Sequence, residues 1–211
     1  MNPTINVNLK NIKGEFYGLA KPGAECDTEL RDISRLTRFE AFRSVCESTA
    51  EHNNRDMTAV AALLLEMQNT ANIPDEYSEL SECFASMVKA NKKLDISESR
   101  DYVFFAYDAM RELEKLDNAV ECNIEGEIDG LFACAAQDDD ISSIVIVNDT
   151  ENDYFIDVVI NGLPGRSTAI DYYFADEYNQ LSILCNTDTK LETTTVKIMV
   201  SAYSLHLFKI R

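Results

Sequence analysis

The chain has 211 residues, of which 45% are hydrophobic and 27% are charged, so it can bury a sizeable core in one or two globular domains and is not a disordered tail. Its 37 acidic residues against 19 basic residues give a net charge of −18. Because such a surface repels phosphate groups, we expect neither a nucleic-acid partner nor binding to a membrane.

The first 118 residues show mainly helical periodicity. Weak strand-like alternation at Ile5, Val7 and Leu9 comes first and indicates a short strand or arm. Four helices are then predicted: at residues 28–49, from about Asp56 to residue 68, at residues 75–93, and after a capping Ser97. The second helix is apolar almost all round, so it should be buried from several sides.

Beyond Asn118 the hydrophobic period changes to two, and turn residues separate short alternating segments. Eight strands are predicted, at residues 120–124, 130–137, 142–148, 154–161, 168–175, 181–185, 193–200 and 204–210. The pattern predicts an α+β fold: an N-terminal helical subdomain (residues 1–118) followed by a C-terminal antiparallel β-sandwich of about eight strands (residues 119–211).

The six cysteines form no C-x-x-C pair and share no regular spacing, which argues against a zinc site and against a disulfide framework. The N-terminal residues lack the apolar stretch of a signal peptide, and the longest apolar run is too short to span a bilayer. Free thiols and a cytoplasmic location are therefore expected.

Acidic residues occur in two runs that could supply oxygen ligands to calcium. One extends from Asp138 to Asp140, and the other alternates at Asp149, Glu151 and Asp153. Consecutive carboxylates do not converge on one point, and the second run lacks the glycine of a calcium loop, so solvated turns are the better interpretation. No metal and no cofactor are predicted.

Histidine is scarce, which limits the hydrolytic mechanisms open to the chain. His52 and His206 are the only two, and there is no G-x-S-x-G motif, so a Ser-His-Asp hydrolase is disfavoured. His206 alternates with Leu205 and Leu207 on a predicted strand, so we expect it to face solvent and to have a structural role.

The C-terminal half carries a series of helix, strand and turn motifs that match a known family. The matching residues are Tyr102, Phe105, Leu113 and Leu116, then LFACAA at 131–136, IVIVN at 144–148, Val158, Ile160, Gly162, Leu163, Tyr172, Tyr173, Asp176, Glu177 and Asn179, and the strand from Tyr203 to Ile210. With the small-residue helix at 57–68, this series resembles the C-terminal end of clan-A glycoside hydrolases of the β-xylosidase type, close to glycoside hydrolase family 39. The resemblance implies the last helices of a barrel followed by a β-sandwich.

In that family two carboxylates on separate barrel strands, an acid/base and a nucleophile, cleave the glycosidic bond. This chain has no tryptophan and no Asn-Glu dipeptide before Asn118, and its helical part is far shorter than the about 250 residues of a whole barrel. Glu25 and Glu29 are the nearest remnants, and neither is given a catalytic role. The resemblance therefore implies a truncated or degenerate relative with no catalytic residue.

Three functional hypotheses follow. The first is a non-catalytic remnant with a structural or interaction role, which would bind a protein partner or form a homo-oligomer through the helical subdomain. The second is a carbohydrate-binding accessory module that uses Tyr154, Tyr172, Tyr173 and Tyr178 as its sugar-binding surface. The third is part of a split glycosidase acting on xylosides, so that any activity would be glycoside hydrolysis.

Overall fold

A computed structural model describes residues 3–15, 52–69, 102–126 and 128–211 of the chain. Two helices lie in these ranges, α1 (Asn54–Asn69) and α2 (Val103–Glu114). The helices predicted at residues 28–49 and 75–93 and the cap predicted at Ser97 lie outside the described residues. Neither α1 nor α2 is long and apolar enough to cross a membrane.

The start of α1 is fixed by a reciprocal cap. The Asn53 side-chain oxygen accepts a hydrogen bond from the backbone N–H of Arg55 at 2.8 Å, and the Asp56 carboxylate accepts one from the backbone N–H of Asn53 at 2.9 Å. Such a capping box satisfies backbone donors that have no partner inside the helix. Residues 60–65 of α1 are all buried, as the nearly continuous apolar sequence predicts.

In the part of the chain that the structure describes, nine strands follow the alternating segments of the sequence, and the eight predicted after Asn118 are confirmed. They are β1 (Thr4–Glu15), β2 (Asn118–Glu125), β3 (Leu131–Asp138), β4 (Ile141–Asn148), β5 (Tyr154–Asn161), β6 (Thr168–Ala175), β7 (Ser182–Thr189), β8 (Thr193–Val200) and β9 (Ser204–Ile210). The weak alternation near the N-terminus is therefore a full strand, whose Ile5, Val7 and Leu9 are buried.

All nine strands belong to one sheet, in the order β7-β6-β9-β4-β3-β2-β1-β5-β8. The sheet is mixed, because β1 is antiparallel to β2 and parallel to β5. It is nearly closed and barrel-like, so the predicted helical subdomain followed by a β-sandwich is wrong. The physical reason is β1, which lies between β2 and β5 and forms hydrogen bonds with both. The alternating pattern alone is equally compatible with two separate sheets. The division of the chain into two domains between residues 118 and 119 stays a prediction.

Each face of the curled sheet packs against its own core. The inner core contains apolar side chains from β1 to β6, β8 and β9, among them Ile144 and Ile146 of β4. The outer core lies between the sheet and the two helices, and Val145 and Val147 of the same strand belong to it. A strand covered on both faces tends to have a nearly continuous apolar sequence, which explains the run IVIV.

Gly130 precedes β3 with φ +84, a conformation that favours glycine. A Cβ there would lie 2.5 Å from Thr150 Cγ2, whereas at Gly126, with φ +111, the nearest atom would be 3.8 Å away. We expect Gly130→Ala to lower the free energy of unfolding by about 2 kcal/mol and Gly126→Ala by about 1 kcal/mol, because only the first adds a clash to backbone strain. Urea unfolding of both variants checks this, and equal losses would contradict it.

Candidate functional site

A pocket of about 370 Å³ opens on the outer surface, between α2 and the strands β6 and β9. Helix α2 and its C-terminal end contribute four charged side chains to one wall, because positions three and four apart lie on the same face of a helix. The sheet and Leu181, which immediately precedes β7, contribute the opposite wall. The lining residues are Asp108, Arg111, Glu112 and Lys115, then Tyr173, Leu181, Leu207 and Lys209.

Glu112 is the electrostatic centre of this pocket. Its carboxylate accepts a hydrogen bond from Lys115 Nζ at 2.5 Å and forms an ion pair with Lys209 Nζ at 3.1 Å. Partial burial acts to raise the pKa of Glu112, but the hydrogen bonds and charges of the two ammonium groups outweigh it and lower the pKa below its ordinary value. Glu112 is therefore ionised at neutral pH and is unsuited to act as a general acid.

Aromatic rings border the charged groups. Lys209 Nζ lies 5.1 Å from the centroid of the Tyr173 ring, and the Arg111 guanidinium carbon lies 5.8 Å from the centroid of the Tyr107 ring. Both distances allow cation–π attraction. The pocket thus combines an aromatic wall with cationic donors and a carboxylate acceptor, a combination suited to binding a polar ligand rather than to proton transfer.

A second polar cluster is buried inside the sheet around His206, which is 1% exposed. The Ser204 hydroxyl donates to the Ser201 carbonyl at 2.5 Å, so its oxygen accepts from His206 Nε2 at 2.8 Å. The other ring nitrogen, Nδ1, then accepts from the Tyr172 hydroxyl at 2.7 Å. Every polar atom of the neutral imidazole is satisfied, and the cluster is structural.

Burial dominates the titration of this cluster. It lowers the pKa of His206 to about 3, although the nearby Asp176 charge acts in the opposite direction. Burial likewise raises the pKa of Tyr172. The prediction that His206 faces solvent is wrong, because β9 lies between β4 and β6 in the middle of the sheet and is covered on both faces. The signal was present in the sequence, since Phe208 and Ile210, which share a strand face with His206, are apolar.

The two buried carboxylates of the described residues hold the backbone and the chain end in place. Asp171 pairs with Arg211 at 2.7 Å and accepts a hydrogen bond from Asn186. Asp176 accepts from the backbone N–H groups of Tyr178 and Asn179, each at 2.9 Å, in the turn after β6. Both carboxylates are bound to groups of the chain itself, so neither is positioned to act on a substrate.

The four predicted sugar-binding tyrosines do not form one surface. Tyr172 is 4% exposed and belongs to the inner core, whereas its neighbour Tyr173 points to the outer face and lines the pocket. Tyr154 packs against the inner core at the start of β5, and Tyr178 is 84% exposed in the turn after β6. Phe155 was not identified from the sequence as an exposed aromatic residue. Its side chain is 65% exposed and lies opposite Met199 on β8. Its position out of phase with the buried Ile156 could have revealed it.

The acidic runs lie in turns. Asp140 pairs with Arg166, and Asp139 adopts φ +46 between β3 and β4. The Asp149 carboxylate accepts a hydrogen bond from the Thr58 hydroxyl at 2.8 Å, and the Asp153 carboxylate accepts one from the backbone N–H of Ala202 at 2.8 Å. Within the four described ranges, no group of three or more His, Cys, Asp or Glu side chains could hold a metal ion.

Comparison with known proteins relates the fold to glycosidases. No protein-family model and no curated protein sequence matches the chain. Among solved structures, a glucosidase from Croceicoccus marinus is 14% identical with a TM-score of 0.54, and the match covers 77% of this chain and 43% of the glucosidase. A glycoside hydrolase family 30 subfamily 8 xylanase from Clostridium acetobutylicum is 10% identical with a TM-score of 0.49, covering 76% of this chain and 40% of the xylanase.

A monomeric β-xylosidase from Caulobacter crescentus is 14% identical with a TM-score of 0.42, covering 53% of this chain and 31% of the xylosidase. In each case the match spans less than half the length of the solved enzyme. At such low identity the likeness concerns the fold alone. The fold of this chain is glycosidase-like.

Proposed function

We propose that this chain is a non-catalytic module of the glycosidase-like fold that binds carbohydrate in the pocket between α2 and the sheet. The observation that carries the proposal is the arrangement of Glu112 between Lys115 and Lys209, beside the Tyr173 ring. Sugar hydroxyls donate to carboxylates and accept from ammonium groups, and an aromatic ring offers an apolar surface to the C–H groups of a sugar.

The charges of the described residues support binding rather than catalysis. Glycoside hydrolysis requires a carboxylic acid with a raised pKa and a second carboxylate roughly 5–9.5 Å away. Among the described carboxylates, the two with shifted pKa values, Glu112 and Glu121, both have pKa values below the ordinary one. For Glu121, hydrogen bonds from Asn11 and Asn123 lower the pKa. A catalytic acid requires the opposite shift.

Relationship to family 39, truncation of an ancestral enzyme, and a split glycosidase acting on xylosides are finer hypotheses that stay predictions. A protein partner or a homo-oligomer at the helical subdomain also stays a prediction, since much of that region lies outside the described residues. For α1 and α2, the apolar faces pack against the sheet. The pocket is therefore the stronger basis for a function.

Affinity electrophoresis on soluble xylans and β-glucans tests the proposal. We expect the chain to be retarded by at least one of them, and Tyr173→Ala to weaken the affinity by about 10-fold, which corresponds to about 1.4 kcal/mol. Phe155→Ala is the matched control, because it removes an exposed aromatic ring outside the pocket. We also expect no release of nitrophenol from nitrophenyl xyloside.

Three outcomes would contradict the proposal. The first is the absence of retardation on every polysaccharide. The second is an equal loss of affinity in Tyr173→Ala and Phe155→Ala, which would place the binding surface elsewhere. The third is turnover of nitrophenyl xyloside that Glu112→Gln abolishes, which would make the site catalytic.

A further inference from the structure

The pocket has a charge balance opposite to that of the whole chain. Among its described lining residues, three are cations, Arg111, Lys115 and Lys209, and two are carboxylates, Asp108 and Glu112, whereas the chain has 37 acidic and 19 basic residues. Acidic side chains are nearly twice as common as basic ones in the sequence. An excess of cations in this pocket is therefore a local feature that the composition does not explain.

Arg111 differs from the two lysines in its surroundings. Lys115 and Lys209 both bind the Glu112 carboxylate. Among the residues that the structure describes, Arg111 forms no ion pair, and its guanidinium group lies over the Tyr107 ring. A guanidinium group presents a planar fork of N–H donors that matches a carboxylate with two parallel hydrogen bonds. Arg111 thus has donors available at the rim of the pocket.

The contact of Glu112 with Lys115 and Lys209 shows that cations of this pocket bind a carboxylate. Here a carboxylate of the chain itself is held by two ammonium groups, and the net effect on its pKa is a decrease. A ligand carboxylate at the rim would contact the Arg111 guanidinium, close to the ammonium groups of the same pocket. The hydroxyl groups of that sugar would lie toward Glu112 and Tyr173.

We infer that the pocket selects glycans that carry a carboxylate, with Arg111 as the residue that binds the acidic group. This inference rests on the proposed carbohydrate-binding function and adds the ligand class to it. A chain of net charge −18 repels anions in general, so a preference for an acidic ligand has to come from a local group of cations. The ratio of the affinities for an acidic and a neutral glycan is therefore a sensitive measure of this site.

Calorimetric titration with two matched ligands tests the inference: a xylo-oligosaccharide that carries one glucuronate, and the same oligosaccharide without it. The wild-type chain is expected to bind the acidic ligand about 10-fold more tightly at low salt, and the preference should shrink as salt is added. Arg111→Gln should reduce the preference to less than about 3-fold, because the acidic ligand loses more affinity than the neutral one. Arg111→Lys should give an intermediate preference, because it keeps the charge and loses the fork.

Arg166→Gln is the control, since Arg166 is an exposed arginine that pairs with Asp140 away from the pocket. It should keep the full preference, and sodium acetate should not compete at the same concentration as the acidic sugar. Equal affinity for the two ligands, or a preference that survives Arg111→Gln, would overturn the inference and leave the proposed function standing. Binding of neither ligand would overturn the proposed function together with the inference.

Discussion

Replacing Asn148 with alanine is expected to lower the free energy of unfolding by about 3 kcal/mol, the largest effect of a single substitution that we predict. Asn148 ends β4 and is fully buried. Its amide nitrogen donates to the carbonyls of Asn152 at 2.8 Å and Ser201 at 2.7 Å, and its oxygen accepts from the backbone N–H of Thr150 at 3.2 Å and from the Thr150 hydroxyl at 2.8 Å. Each such bond contributes about 1 kcal/mol, and some of the released groups can reach water.

The effect is large because one side chain joins two loops that are distant in sequence. The β4–β5 loop contains Thr150 and Asn152, and the β8–β9 loop contains Ser201. Asn161→Ala is the control, since Asn161 is only partly buried and accepts a side-chain hydrogen bond from Thr193 at 3.1 Å. It should cost less than about 1 kcal/mol. Urea unfolding measures both changes, and similar losses would show that burial of Asn148 is not the cause.

Acidification is expected to destabilise the folded chain through His206 by about 1.4 kcal/mol for each pH unit below about 6.5. In the unfolded chain the imidazole takes up a proton at its ordinary pKa of 6.5, whereas burial lowers the folded-state pKa to about 3. The unfolded state therefore binds more protons between these two values. The contribution is fully present above pH 6.5 and is lost as pH falls toward 3.

His206→Gln separates this effect from that of the carboxylates, which titrate in both proteins. Glutamine cannot be protonated, so the unfolding free energy of the variant should depend less steeply on pH between about 7 and 5. The difference in slope corresponds to the uptake of about one proton on unfolding. In the wild-type chain, NMR of the two histidine rings provides a measurement that does not depend on how well the variant folds. His206 should show no titration down to about pH 5 in the folded state. Parallel pH dependences, or a folded-state pKa near 6.5, would contradict the prediction.

Local periodicity was sufficient to identify the strands and the two described helices, because burial imposes a period of two or of 3.6 on each element separately. The arrangement of the strands was not predictable in this way. Ile5, Val7 and Leu9 indicate that β1 has one buried face, but they do not indicate that it pairs with β2 and β5. A strand inserted from a distant part of the sequence therefore changed two sheets into one.

The pocket was less predictable than the fold. Glu112 lies on α2 and Lys209 on β9, so their ion pair depends on tertiary packing that carries no local pattern. Tyr172 and Tyr173 illustrate the limit of choosing aromatic residues from sequence. Adjacent strand positions point to opposite faces, so one ring is buried and the other lines the pocket. For His206 the alternation rule was wrong because β9 is covered on both faces.

The position of β1 also affects the order in which the chain can fold. Thr4 pairs with both Glu125 and Asp157, so β1 is made well before the two strands that become its neighbours. Closing such long loops costs entropy before any contact compensates for it, which slows folding. Its apolar side chains remain without their partners while most of the chain is synthesised. β1 is thus made before its neighbours but can be paired only after both of them exist.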